Sequence, residues 1–164
     1  LARGADNAVA CYVPVENRHV NHILDATVAP AAIDATVAKR AEAIARGIVQ
    51  ALDLVGVLAV EMFITKDGEV LVNELAPRPH NSGHWTIDAC VTSQFEQLVR
   101  AVCGLPLGSP ERHCDAVMTN LIGGDVTRLR AAIAEPNAKL HLYGKADALR
   151  GRKMGHVTRL TPRR

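Results

Sequence analysis

The residues of this chain best suited to chemistry crowd into one stretch, Asn73-Glu74-Leu75-Ala76-Pro77-Arg78-Pro79-His80-Asn81-Ser82-Gly83-His84-Trp85. It holds a carboxylate, a guanidinium, two imidazoles, an amide and the chain's single Trp. Arg78, four residues after Glu74, offers a planar fork to a carboxylate, bicarbonate or phosphate. His80 or His84 can move protons near neutral pH, although each taken alone also reads as an ordinary hydrogen-bonded loop residue. Asn81 and Ser82 can orient a small polar ligand. The His80-x3-His84 spacing is that of a helical zinc pair, but Pro79 and Gly83 oppose a helix there. Two prolines stiffen the run, and Gly83 is expected to take a backbone angle that other residues resist. The segment reads as an active-site loop launched from a strand end.

The elements before the loop set its geometry. Val57–Thr65 and Val70–Leu75 read as strands around Lys66-Asp67-Gly68-Glu69, and Asp-Gly between apolar runs signals a hairpin. With a two-residue turn, Lys66 pairs with Glu69 and, counting back, Glu61 pairs with Glu74. Their Cβ atoms then lie about 4.5–5.5 Å apart on one face. The neighbouring residues are nearly all apolar, so both faces of the hairpin, and both carboxylates, are expected to be buried. Two such groups repel and lose hydration unless a proton or a cation joins them. Oxygen ligands beside the Asn73 amide suit Mg²⁺, which usually also meets substrate phosphates. The alternative leaves one Glu exposed and pairs the other with Arg78.

Elsewhere, residues 7–15 and 22–29 read as strands joined by a polar turn containing Asn17, Arg18 and His19. Ile33, Val37, Ala41, Ile44, Ile48 and Leu52 recur at helical spacing from Asp34 to about Asp53. A second helix is expected from Thr92 to about Val102, capped by Thr92 or Ser93 and stopped by Gly104. A linker over 105–112 precedes strands near 116–122, 139–143 and 156–160 and a short helix near 126–134. This mixture, with no regular βαβ alternation, predicts an α+β fold.

At 164 residues, 48% hydrophobic but 3% aromatic, the chain can hold an aliphatic core. No apolar run is long enough for a membrane helix, and the net charge of +2 is too small to imply nucleic acid. Four cysteines without metal-type spacing read as buried, reduced thiols of a cytoplasmic protein. The end of the chain is locally basic: Lys145, Arg150, Arg152, Lys153, Arg159, Arg163 and Arg164 face one acid, Asp147. Glycines among Lys145–His156 would let the backbone approach a phosphate. P-loop, GxGxxG and GxSxG patterns are absent. The chain opens on Leu1, with no initiating Met, as expected of a piece of a longer protein.

The runs VLAVEMF (57–63), VNELAPRPHNSGHWTIDACVTSQFEQLVRAVCGLPLG (72–108) and HLYGKADALRGRKMGHV (141–157) closely resemble the 5-(carboxyamino)imidazole ribonucleotide synthase family of ATP-grasp ligases. The likeness spans essentially the whole chain and matches the C-terminal portion of such enzymes. It implies the second half of an ATP-grasp domain over 1–108, an antiparallel sheet with helices, then a small β-rich domain over 109–164. It further implies ATP-driven activation of bicarbonate to carboxyphosphate and carboxylation of aminoimidazole ribonucleotide in purine biosynthesis, usually by a homodimer. By resemblance, Glu61 and Glu74 hold Mg²⁺ and Asn73 and Glu74 meet the ATP phosphates. Arg78, His80 and Asn81 then line the bicarbonate and carboxyphosphate region, and Lys145 and Arg152 contact the ribonucleotide. The family's N-terminal domain and adenine pocket have no counterpart in this sequence, so the chain alone is expected to lack ligase activity and to bind ATP weakly. A sister ATP-grasp ligase, or a non-catalytic partner or dimerisation module, is the alternative.

Overall fold

In the computed structural model the described residues are 1–163, the side chains of 126–128 excepted. The elements run β1 (Ala2–Arg3), β2 (Val9–Ala10), β3 (Glu16–Val20), β4 (Ile23–Ala29), α1 (Ala35–Ala51), β5 (Gly56–Val57), β6 (Ala59–Ile64), β7 (Val70–Ala76), α2 (Thr86–Ala89), α3 (Gln94–Val102), β8 (Cys114–Ile122), α4 (Leu129–Ala134), β9 (Ala138–Leu142) and β10 (Lys153–Pro162). The fold is α+β, with antiparallel pairing in all three sheets. One sheet has the order β3-β4-β8-β10-β9 and so combines strands from both sides of residue 108. A small sheet β2-β1-β5 and the hairpin β6-β7 complete the set.

Local chemistry explains most boundaries. Asp34 stands at the N-cap of α1, and Ser93 caps α3 by accepting from the Glu96 N–H at 3.2 Å. Gly104, with φ +67, ends that helix. The first hairpin differs from expectation. Asn17, Arg18 and His19 lie inside β3, and the reversal is Asn21-His22, whose φ values of 49 and 63 make a two-residue turn matched to strand twist. Of residues 7–15, only Val9 and Ala10 join a ladder.

The main core gathers Ala29, Trp85, Ala89, Cys90, Ala116 and Met118. Trp85 is 1% exposed, so the polar loop that precedes it is pinned to the interior at its far end. A second cluster seats α4 through Ala132 on Leu121 and Val157. All four cysteines are free thiols, but only Cys90 is buried and Cys103 is exposed, because the helix carrying Cys103 ends at the surface. No helix is long and apolar enough to cross a membrane among the described residues.

Candidate active site

Two compensating departures produce the expected carboxylate pair. The turn holds three residues, Lys66-Asp67-Gly68: Thr65 N–H donates to the Glu69 carbonyl at 2.9 Å and Gly68 N–H to the Thr65 carbonyl at 3.0 Å. Gly68, at φ +80, occupies the left-handed position such a turn requires. The register is therefore Ile64↔Val70, Phe63↔Leu71 and Met62↔Val72, one residue off the expected count. A bulge then leaves Asn73 unpaired, and Glu61 meets Glu74. Bulges bend strands and re-aim side chains, here at the end of the hairpin that enters the loop.

Glu61, Glu74 and His80 each bring a ligating atom within 4.8 Å of the others. His80 Nε2 lies 3.6 Å from Glu61 Oε1. The carboxylates are not both buried, contrary to expectation: the Glu61 side chain is 20% exposed and Glu74 is exposed. The physical reason is that Phe63, Ile64, Leu71, Val72 and Leu75 stand at the surface, so no described residue closes over that part of the hairpin. Arg78 is exposed and donates to the Pro79 carbonyl at 3.1 Å, and no ion pair joins it to either Glu among the described residues. A cleft of about 410 Å³ runs past Glu61, Asn73, Arg78, His80 and Ser82.

The loop is seated by Gln94 of α3. Its Oε1 accepts from the His80 N–H at 2.9 Å, and its Nε2 donates to the His80 carbonyl at 2.8 Å. The same Nε2 lies 2.9 Å from His84 Nδ1. Gly83 has an ordinary backbone angle, and its role is spatial: a Cβ there would collide with the Gln94 amide. His80 and His84 consequently face different partners, and the zinc-pair spacing carries no common site. Burial lowers the His80 pKa, with the Glu61 charge opposing it. Burial, helped by the Lys153 charge, pushes His84 down to about 4, so this imidazole is neutral near pH 7 and poorly suited to move protons there.

Asn81 reaches into the five-stranded sheet. Its carboxamide exchanges reciprocal hydrogen bonds with Asn120 of β8 at 2.9 and 2.7 Å, and Lys153 Nζ donates to Asn81 Oδ1 at 3.2 Å. Nearby, the Tyr143 hydroxyl lies 2.8 Å from His156 Nδ1. His156 stacks on His141, whose Nε2 is 2.8 Å from Asp88 Oδ2. Lys145 and Arg152 sit on the β9–β10 connection, outside the cleft wall. Lys145 Nζ donates to the Lys153 carbonyl at 2.7 Å and Arg152 to the Asp147 carbonyl at 3.4 Å. Other basic residues are already spent on acids: Arg159 grips Glu135 through two bonds and Arg163 pairs with Glu111. Arg164 lies outside the described residues. Asn120 and Tyr143 escaped the sequence reading because neither stands in the polar loop, and Lys153 was hidden among the cations of its own stretch.

Comparison with known proteins gives the family. Residues 1–95 match the ATP-grasp domain family, and 116–164 match the phosphoribosylaminoimidazole carboxylase C-terminal domain. An N5-carboxyaminoimidazole ribonucleotide synthase of Brucella melitensis is 54% identical over 99% of this chain and 45% of its own length. Its Bacillus subtilis counterpart is 47% identical over 96% of this chain and 42% of its own. A crystal structure of an N5-carboxyaminoimidazole ribonucleotide synthetase in complex with ADP superposes with TM-score 0.95 at 47% identity, over 98% of this chain and 43% of that one. An Aspergillus clavatus N5-carboxyaminoimidazole synthase, solved with ADP and the aminoimidazole ribonucleotide, gives 0.94 at 38% identity, over 98% and 45%. The chain thus belongs to the ATP-grasp family. Within it, its kin are the N5-carboxyaminoimidazole ribonucleotide synthases, and it spans a little under half the length of these relatives.

Proposed function

We propose that this chain carries the acidic and anion-facing part of an ATP-dependent ligase that carboxylates aminoimidazole ribonucleotide with bicarbonate through carboxyphosphate. The single observation that carries the reading is the meeting of Glu61, Glu74 and His80 at the mouth of a cleft that also holds Arg78 and Asn73. The donor set fits a hard divalent cation: two carboxylates supply oxygen, and the His80 nitrogen, 3.6 Å from Glu61 Oε1, is a poorer ligand for Mg²⁺. Glu61 and Glu74 would hold Mg²⁺, whose charge offsets that of the ATP phosphates when it is bound.

The remaining side chains divide the work by chemistry. Arg78, free of carboxylate partners among the described residues, presents its fork to bicarbonate or to the carboxyphosphate oxygens. His80, fixed at both its N–H and carbonyl by Gln94, orders the Glu61 side. Asn81 donates to the transferring group, and charge developing there meets donors already in place. Lys145, exposed, and Arg152, half-buried, lie beside this region and receive the ribonucleotide phosphate. Residues 1–108 form the ATP-grasp part and 109–164 the small C-terminal part, joined through the sheet β3-β4-β8-β10-β9. A cytoplasmic homodimer is the expected setting, as the family resemblance implies.

Bicarbonate-dependent ADP release tests the reading. The 164-residue chain by itself is expected to show none, whereas a protein joining it to the remainder of the relatives' length is expected to turn over. Glu74→Gln in that longer protein should abolish turnover while the fold persists; unchanged kinetics would remove the metal-holding role.

A further inference from the structure

Outside the cleft lining, Asp88 of α2, His141 of β9 and His156 of β10 form a second group whose ligating atoms all lie within 4.8 Å of one another. His141 and His156 face each other across antiparallel strands, and their rings stack with centroids 4.6 Å apart and planes 16° from parallel. His141 Nε2 lies 2.8 Å from Asp88 Oδ2. His156 is 1% exposed, and its two nitrogens differ in their partners. Nδ1 meets the Tyr143 hydroxyl at 2.8 Å, whereas Nε2 is buried with no hydrogen-bond partner among the described residues. Neither neutral tautomer removes this deficit, because Nε2 is then either a donor without an acceptor or a lone pair without a donor.

A cation satisfies the second form. When His156 Nδ1–H donates to the Tyr143 oxygen, the Nε2 lone pair is open to a metal, and the bond at the far nitrogen fixes the ring as outer partners of metal-bound histidines do. The χ2 torsion of histidine is broad, so the two nearly parallel rings can turn their in-plane lone pairs toward a common point. The ion takes the place of the proton between His141 and Asp88, and binding therefore releases that proton. We infer that Asp88, His141 and His156 form a site for a transition ion, Zn²⁺ or its neighbours Co²⁺ and Ni²⁺. Two imidazoles and a carboxylate suit these ions and suit Mg²⁺ poorly, since Mg²⁺ prefers oxygen ligands. The site is chemically distinct from Glu61 and Glu74, and it does not depend on the carboxylating reading. Three protein ligands leave a fourth position for water, and entry is from the side of His141 and Asp88, whose side chains are 31% and 14% exposed. Asp88 belongs to the 1–95 match and both histidines to the 116–164 match, so a bound ion ties α2 to the β9–β10 pair.

Co²⁺, added to the 164-residue chain near neutral pH, tests this through its visible spectrum. The expected result is one tightly bound ion per chain with the intense bands of a four-coordinate cobalt site, displaced by Zn²⁺ and unaffected by excess Mg²⁺. His141→Ala and Asp88→Asn should each abolish the bands while circular dichroism shows the fold intact, and Glu61→Gln should keep them. Zn²⁺ should raise the thermal midpoint of the wild-type chain and leave that of His141→Ala unchanged. No cobalt bands in the wild-type chain, bands that survive His141→Ala, or bands lost in Glu61→Gln would each overturn the inference. A measurement without substitutions guards against variants that fail to fold. In the isotope-labelled wild-type chain Zn²⁺ should shift the Nε2 signals of His141 and His156 and leave those of the exposed His19 and His22 in place. Unmoved signals at His141 and His156 also overturn it.

Discussion

His156 and His84 show how burial decides what a titratable side chain can do. His156 is 1% exposed and pressed against His141, His84 and Tyr143, and its Nε2 has no hydrogen-bond partner among the described residues. Burial pushes its pKa down to about 3, and that of His84 to about 4. Both are neutral in the folded chain at pH 7, whereas the unfolded chain protonates them near the ordinary value of about 6.5. As pH falls below that value the unfolded state binds the extra protons, so stability declines with decreasing pH until the folded values are reached. The slope approaches about 1.4 kcal/mol per pH unit for each histidine. Urea midpoints between about pH 7 and about pH 5 should drop accordingly, and a flat profile would show that these rings charge without cost. Burial likewise raises the Tyr143 hydroxyl to about 12, keeping it protonated beside His156.

At the level of elements, the hairpin and the loop were legible in different ways. The apolar runs on either side of Asp67-Gly68 announced β6 and β7, and the Glu61–Glu74 pairing followed from counting. The count erred by one at the turn, and the bulge at Asn73 erred by one in the opposite sense. Neither was readable, because turn length and bulge position depend on the twist of paired strands rather than on composition. The loop's polarity marked it as functional, but its seating on Gln94 was invisible: Gln94 lies in the next helix and looks like any polar helix residue. Gly83 was noticed for the wrong reason. Its backbone is unstrained, and the Gln94 amide occupies the space a side chain would take. Gly83→Ala should therefore cost about 1–3 kcal/mol by overpacking, read as a lower urea midpoint with an unchanged slope. A neutral result would mean that Gln94 can move aside, and the loop would then be less firmly held than its hydrogen bonds imply.

For the whole molecule, the α+β class and its antiparallel sheets followed from the order of elements, whereas the sharing of one sheet between β3-β4 and β8-β10 did not. That sheet brings Asn120 and Lys153 beneath Asn81, so chemistry separated along the sequence converges through long-range strand pairing that local patterns cannot encode. The exposure of Phe63, Leu71, Val72 and Leu75, on both faces of the hairpin, follows the same logic. Local hydrophobicity suggested burial, and only the arrangement of the whole chain reveals that this part of the hairpin lacks cover. All of this bears on one claim, that Glu61 and Glu74 converge to hold a divalent ion. Mn²⁺, used as a paramagnetic stand-in for Mg²⁺, tests it in the chain itself by broadening the amide signals around its site. Broadening centred on Glu61, Glu74 and His80, and lost in both Glu61→Gln and Glu74→Gln, is the expected result. Broadening that is centred elsewhere, or that survives both substitutions, would contradict it.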